Sequence, residues 1–163
     1  MSLDPWARAL FPVSWAGETE SANWFDTARE LTERWHHQQQ IRLATDNDRP
    51  GIMTRDFYYP VLDCFMRALP FHYRNILRPQ GTLAHFRITG DCGGSWYLYR
   101  ERRTWVLTSE LIGDEASRTV IPQEIAWRIF TKGIAAEVAM PQVEVAGDAH
   151  LGTHILTMIS IVG

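Results

Sequence analysis

Glu33 and His37 stand four residues apart in the stretch Leu31-Thr-Glu-Arg-Trp-His-His-Gln-Gln-Gln-Ile-Arg42. On a helix that spacing puts both side chains on one face. A carboxylate and an imidazole stacked in this way can ligate one divalent metal, and zinc accepts donors of both kinds. Two donors are an incomplete set, because catalytic zinc normally takes three protein ligands and keeps a fourth position open. The segment reads as helix: no Gly or Pro occurs between Ser21 and Ala44, and Trp24, Ala28, Leu31 and Trp35 recur at helical spacing. At about 100° per residue, Glu33 and His37 lie opposite that stripe, with Asp26, Arg29, Glu30, His36 and Gln40 in their broad sector. A solvated helix face has the same composition, so spacing alone leaves both readings open.

Other candidates carry less. His36 and His72 are the remaining histidines of the helical part, and His36 points more than about 90° away from His37. His150 and His154, again four apart, form a second metal-competent pair; it is expected to be exposed, since Leu151 and Ile155 take the buried face. His85, beside Phe86, reads as structural. Cys92 sits in a Gly-rich turn with no evident cation to lower its pKa, and Cys64 falls near an apolar helix face and reads as core. There is no nucleophile elbow and no phosphate loop, so catalytic and cofactor-binding residues stay unassigned.

These residues need elements to position them. Residues 1–20 are irregular, punctuated by Pro5, Pro12 and Gly17, with Trp6, Phe11 and Trp15 to clamp them onto an apolar surface. Ser21 is expected to cap the first helix and Asp26 to favour its positive end. The helix ends before the turn cluster Asp46-Asn-Asp-Arg-Pro50-Gly51. A second helical stretch is expected from Thr54 to about Arg78, with Phe57, Val61, Phe65, Ala68 and Leu69 at helical spacing and Pro60 and Pro70 as breaks. The period then changes. Leu83–Thr89, Ser95–Arg100, Thr104–Glu110 and Ala116–Ile121 read as strands, joined by turns at Gly90–Gly94 and Glu101–Arg103. Pro122 opens a helix that Gly133 caps. Val143–Val145 is a last short strand, and Asp148 caps a closing helix with the face Leu151, Ile155, Met158, Ile159 and Val162.

Composition narrows the functional classes. The chain has 163 residues, is 45% hydrophobic and 21% charged, and carries a net charge of -3. That is a soluble globular composition, without the basic surface that nucleic acid requires. No apolar run is long enough to span a bilayer, and the first residues lack the basic region and apolar core expected of a signal peptide. Two cysteines at unrelated positions fit reduced thiols, and a cytoplasmic location is expected.

Eight segments stand out by their order and spacing: Trp15-Ala-Gly17, Glu33-Arg-Trp-His-His37, Phe57-Tyr-Tyr-Pro-Val61-Leu62-Asp63, Arg67-Ala-Leu-Pro70, Gly94-Ser-Trp96, Gln123-Glu-Ile-Ala-Trp127-Arg128, Phe130-Thr-Lys-Gly133 and Val143-Glu-Val-Ala-Gly147-Asp148. Together they resemble the mycothiol-dependent maleylpyruvate isomerase family. The resemblance implies an α+β chain in two parts. Residues 1–79 would be a helical hairpin, half of a DinB-like metal-binding four-helix bundle. Residues 81–163 would be a domain similar to sterol carrier protein 2, an antiparallel sheet with helices on one face. It implies a divalent metal, zinc or nickel, with Glu33 and His37 as ligands. The family's further histidine ligand belongs to the earlier half of the bundle, which this chain is expected to lack, and mycothiol finds no matched residues here.

Two functions follow as expectations. The first is a protein without a full catalytic site that binds a small apolar molecule, in a cavity between the sheet and the Trp127 and Ile155 helices, or that self-associates. The second is a metal-dependent isomerase or thiol transferase whose metal site is completed across a dimer. In either case a homodimer through the helical part is expected, because a bundle reduced to two helices leaves apolar faces open.

Overall fold

A computed structural model describes residues 4–46 and 51–160. Most of the turn cluster, Asn47 to Pro50, and the expected core residue Val162 lie outside the described residues. The first long element is α1, Asn23–Ala44. Its cap differs from expectation: Ala22 precedes it without a side-chain cap, while the Ser21 hydroxyl accepts from the Val13 amide at 2.9 Å and donates to Glu18. Ser21 therefore ties the N-terminal arm down instead of ending the helix. The buried face of α1 is Phe25, Thr32, Trp35, His36 and Gln39. That stripe is rotated from the expected one, so His36 moves from the solvated sector into the interior and Leu31 moves out, with 37% exposure.

The second helical stretch is shorter than expected. It breaks into α2, Arg55–Met66, and a single turn α3, Leu69–His72, with Pro70 in that turn. Pro60 lies inside α2 and leaves it intact. Beyond it come β1, Leu83–Thr89; β2, Gly94–Glu101; β3, Thr104–Thr108; and β4, Glu115–Pro122. Next are α4, Gln123–Phe130; a short α5, Ala136–Ala139; β5, Glu144–Gly147; and α6, Ala149–Thr153. Asp148 caps α6, its carboxylate accepting from the Leu151 amide at 3.0 Å. The closing helix gives way to a tighter 3₁₀ turn at His154–Thr157, which leaves Ile159 at 39% exposure.

The chain is α+β, helices followed by a five-stranded sheet in the order β3-β2-β1-β4-β5. The sheet is mixed, not antiparallel as expected. β1 and β4 run parallel, with Phe86 beside Thr119 and Ile88 beside Ile121, and every other neighbouring pair is antiparallel. Period-two alternation reports which face is buried and not the direction of the neighbour, so the parallel pair left no mark in the sequence. Ala84, Phe86, Ile88, Trp96, Leu98, Trp105 and Ile121 form the inner face and join one hydrophobic cluster with Trp35, Val61, Phe65, Leu69, Trp127, Phe130, Leu151 and Ile155. Residues before position 79 and after position 81 thus share a core. The expected core residues Trp127, Ile129, Phe130, Ile155 and Met158 are all buried.

Candidate functional site

Glu33 and His37 do face each other on α1, with Nε2 and Oε2 3.9 Å apart. His37 is mostly exposed, and its Nδ1 lies 3.0 Å from Gln40 Oε1. Among the described residues no third His, Cys, Asp or Glu joins them to make a metal-binding group. The pair supplies two of the donors that zinc requires, and further ligands would have to come from elsewhere. His150 and His154 join no metal-binding group among the described residues. His154 instead stacks on His72, ring centroids 4.2 Å apart and 16° between planes, while His150 Nδ1 lies 3.4 Å from an Arg78 nitrogen. Burial pushes the Cys64 thiol up to about 12 and also raises that of Cys92, so neither is an activated nucleophile.

A groove of about 440 Å³ opens between the C-terminal half of α1 and α4, within the range of small-molecule sites. Gln39, Arg42, Leu43 and Asp46 line one side; Glu124, Trp127 and Arg128 line the other; Met53 closes an end. Aromatic packing sets its floor. Trp35 stacks on Tyr58 at 4.4 Å and meets Trp127 edge-on at 5.9 Å. The Trp35 indole N–H donates to the Ile52 carbonyl at 3.0 Å, which holds the chain beside Met53. Tyr58 inserts its hydroxyl into the first turn of α4, donating to the Gln123 carbonyl at 2.7 Å and accepting from the Trp127 amide at 3.2 Å. Gly51, at a φ of 44°, leaves room for the Arg42 guanidinium, which lies 2.5 Å from where a Cβ would stand.

Two side chains of this half of α1 carry buried polar atoms without hydrogen-bond partners among the described residues. The Gln39 side-chain Nε2 is buried without a hydrogen bond among the described residues, and so are both ring nitrogens of His36, one turn earlier. The His36 ring lies 6.0 Å from Trp127. Burial first, and then the neighbouring His37, lowers its pKa. A neutral imidazole offers one donor and one acceptor, and leaving such groups unpaired in the interior is costly. The sequence placed Trp127 on the sheet side and expected a cavity there. Ile125, Ile129, Phe130, Leu151, Ile155 and Met158 belong to the buried core cluster, and Trp127 lines a groove together with residues of α1. Gln39, Glu124 and Arg128 were not among the expected site residues, because their role depends on how two helices distant in sequence meet.

No protein-family model matches the sequence, and no curated protein matches it either. Among solved structures, a UbiJ-SCP2 ubiquinone synthesis protein is similar at 16% identity and a TM-score of 0.36, over 53% of this chain and 70% of that one. Sterol carrier protein 2 from Yarrowia lipolytica, in its apo form, is similar at 13% identity and a TM-score of 0.35, over 83% of this chain and 88% of that one. Neither is a maleylpyruvate isomerase or a DinB-like bundle. Likeness at this level assigns no function, so any assignment has to come from the residues of the groove.

Proposed function

We propose that this protein binds a small, partly apolar molecule in the groove between α1 and α4. The observation that carries the reading is the groove itself, in which the apolar Leu43, Met53 and Trp127 stand together with the polar Gln39, Arg42, Asp46, Glu124 and Arg128. The apolar body of a ligand would lie along Leu43, Met53 and Trp127, and its polar head would meet the polar side chains of the rim. Arg42 and Arg128 stand beside Asp46 and Glu124, so the rim is mixed in sign and favours a polar head over a highly charged one. A dansylated medium-chain fatty acid is a suitable probe, because Trp127 can transfer excitation to the dansyl group. Saturable binding at about one probe per chain is expected, weakened about tenfold or more by Leu43→Asp on the exposed lip. Non-saturable binding, or equal affinity in that variant, would remove the groove from consideration.

A further inference from the structure

On the sheet face turned away from the helices, His85 of β1 connects two side chains that the sequence separates widely. Its Nδ1 lies 2.8 Å from Glu115 Oε1, and its Nε2 lies 3.0 Å from the Ser95 hydroxyl. We propose that Ser95, His85 and Glu115 form a nucleophilic serine site that accepts acyl groups from small esters. The site is separate from the α1–α4 groove and does not depend on it.

The hydrogen bonds assign the proton positions. An ionised carboxylate only accepts, so Nδ1 must donate to Glu115. The neutral ring then presents Nε2 as an acceptor, and the Ser95 hydroxyl donates to it. This is the arrangement in which a base draws the proton from a serine while a carboxylate holds the base in the correct tautomer. Glu115 stays ionised: its other oxygen accepts from Arg118 Nε at 2.7 Å, and that bond is the first cause of its lowered pKa. Burial keeps His85 neutral, lowering its pKa despite the opposing pull of Glu115. The Tyr97 ring stacks on the imidazole at 4.6 Å and fixes its plane.

The backbone places these groups by two irregularities. The register shifts between Leu83 and Ala84, so that Leu83 pairs with Glu115 but Ala84 pairs with Ser117. A bulge of this kind re-aims a side chain, and here it puts Glu115 within reach of His85. At the other end the β1–β2 hairpin is tight: a Cβ on Gly93 would run into the Ile88 carbonyl oxygen. Arg55 donates to the Asp91 and Gly93 carbonyls at 3.0 Å each, and the Cys92 amide donates to Gln123 at 2.9 Å. Beside the exposed Ser95 this turn leaves a hollow of about 300 Å³, lined by Arg87, Thr89, Gly90, Gly93 and Gly94. Arg87 is the cross-strand neighbour of Ser95 and brings a cation to the side where an oxyanion would develop.

The step is balanced with ester and water alone. Ser95 Oγ bonds to the acyl carbon as its proton passes to His85 Nε2; the carbon–alkoxide bond breaks, and His85 returns the proton to the leaving alcohol. Water then attacks the acyl-serine, giving its proton to His85, and the acid leaves as Ser95 regains a hydrogen. The test is labelling by a fluorophosphonate, in which a phosphorus–oxygen bond replaces the phosphorus–fluorine bond, together with hydrolysis of p-nitrophenyl acetate. Labelling at Ser95 and slow turnover are expected for the unmodified chain, with both falling to the buffer background in Ser95→Ala. Because that side chain is exposed, the variant retains the fold. Glu115→Gln should lower the rate by about 100-fold or more and move the acid limb of the pH profile, which depends on the groups facing His85, namely Glu115, Arg118, Arg87 and Tyr97. Absence of labelling in the unmodified chain, or equal labelling in Ser95→Ala, overturns the proposal.

Discussion

Two histidines with unremarkable sequence contexts occupy opposite chemical situations. His85 hydrogen-bonds through both nitrogens, while His36 does so through neither among the described residues. His37, which its spacing from Glu33 singled out, is mostly exposed, with Glu33 and Gln40 of its own helix beside it. Spacing reports which side chains share a helix face; it does not report which face the rest of the chain will cover. The Glu33/His37 pair remains a proposal for zinc or nickel, and the ligands it lacks would come from a second copy. Metal-loaded protein is then expected to sediment at twice the 18.8 kDa of one chain, with bound metal and pairing both lost in Glu33→Ala and in His37→Ala. Metal retained in both variants, measured by elemental analysis, would dismiss the pair.

At the scale of elements, much of the second half was legible. β1 has the bounds expected, and β2, β4 and α4 differ by a residue or two at their ends, because alternation, Pro122 and the glycine turns are local signals. The first half was less legible. Where α1 turns its face was decided by tertiary partners, Tyr58 and Trp127 around Trp35, which no local pattern encodes. The bridge of the Tyr58 hydroxyl into α4 was invisible for the same reason, since 65 residues separate Tyr58 from Gln123. That bridge positions one wall of the groove. Tyr58 is fully buried, and Tyr58→Phe would remove the hydroxyl that joins the Gln123 carbonyl to the Trp127 amide. Denaturant unfolding is expected to show a loss of about 1–3 kcal/mol, along with weaker binding of the dansyl probe. An unchanged midpoint would mean that α4 closes its own first turn without help.

For the whole molecule, the helical part and the sheet are joined by polar bonds that cross a common core. The Trp96 indole N–H donates to Asp63, the Tyr73 hydroxyl to the Leu151 carbonyl, and the Ser160 hydroxyl to the Phe65 carbonyl. The apolar faces of the hairpin that a second copy was expected to cover are largely covered from within, Phe25, Trp35, Val61, Phe65 and Leu69 all being buried. Large apolar side chains left outside include Trp6, Leu10, Phe11 and Phe57, and self-association through the helical part would draw on them. No described helix is long and apolar enough to cross a membrane.

The stacked pair His72 and His154 belongs to this junction. His72 Nε2 lies 2.9 Å from the His154 carbonyl, and His154 Nε2 lies 3.3 Å from the His72 carbonyl. Burial is the first cause of the lowered pKa of both rings, and His72 falls from 6.5 to about 4. His36 and His85 are shifted in the same direction, also by burial first. The unfolded chain therefore takes up protons that the folded chain refuses, and stability falls as pH drops. For His72 the contribution is complete above 6.5 and is lost progressively down to about 4. Glu115 and Asp148, held below the usual carboxylate range chiefly by Arg118 and Arg78, add their own loss only at lower pH. The melting temperature is accordingly expected to decline between about pH 7 and about pH 4.5. The decline should be shallower in His72→Gln, whose amide can still donate to the His154 carbonyl but has no proton to take up. An equal slope in that variant would place the acid sensitivity in His154, His36 or His85 rather than in His72.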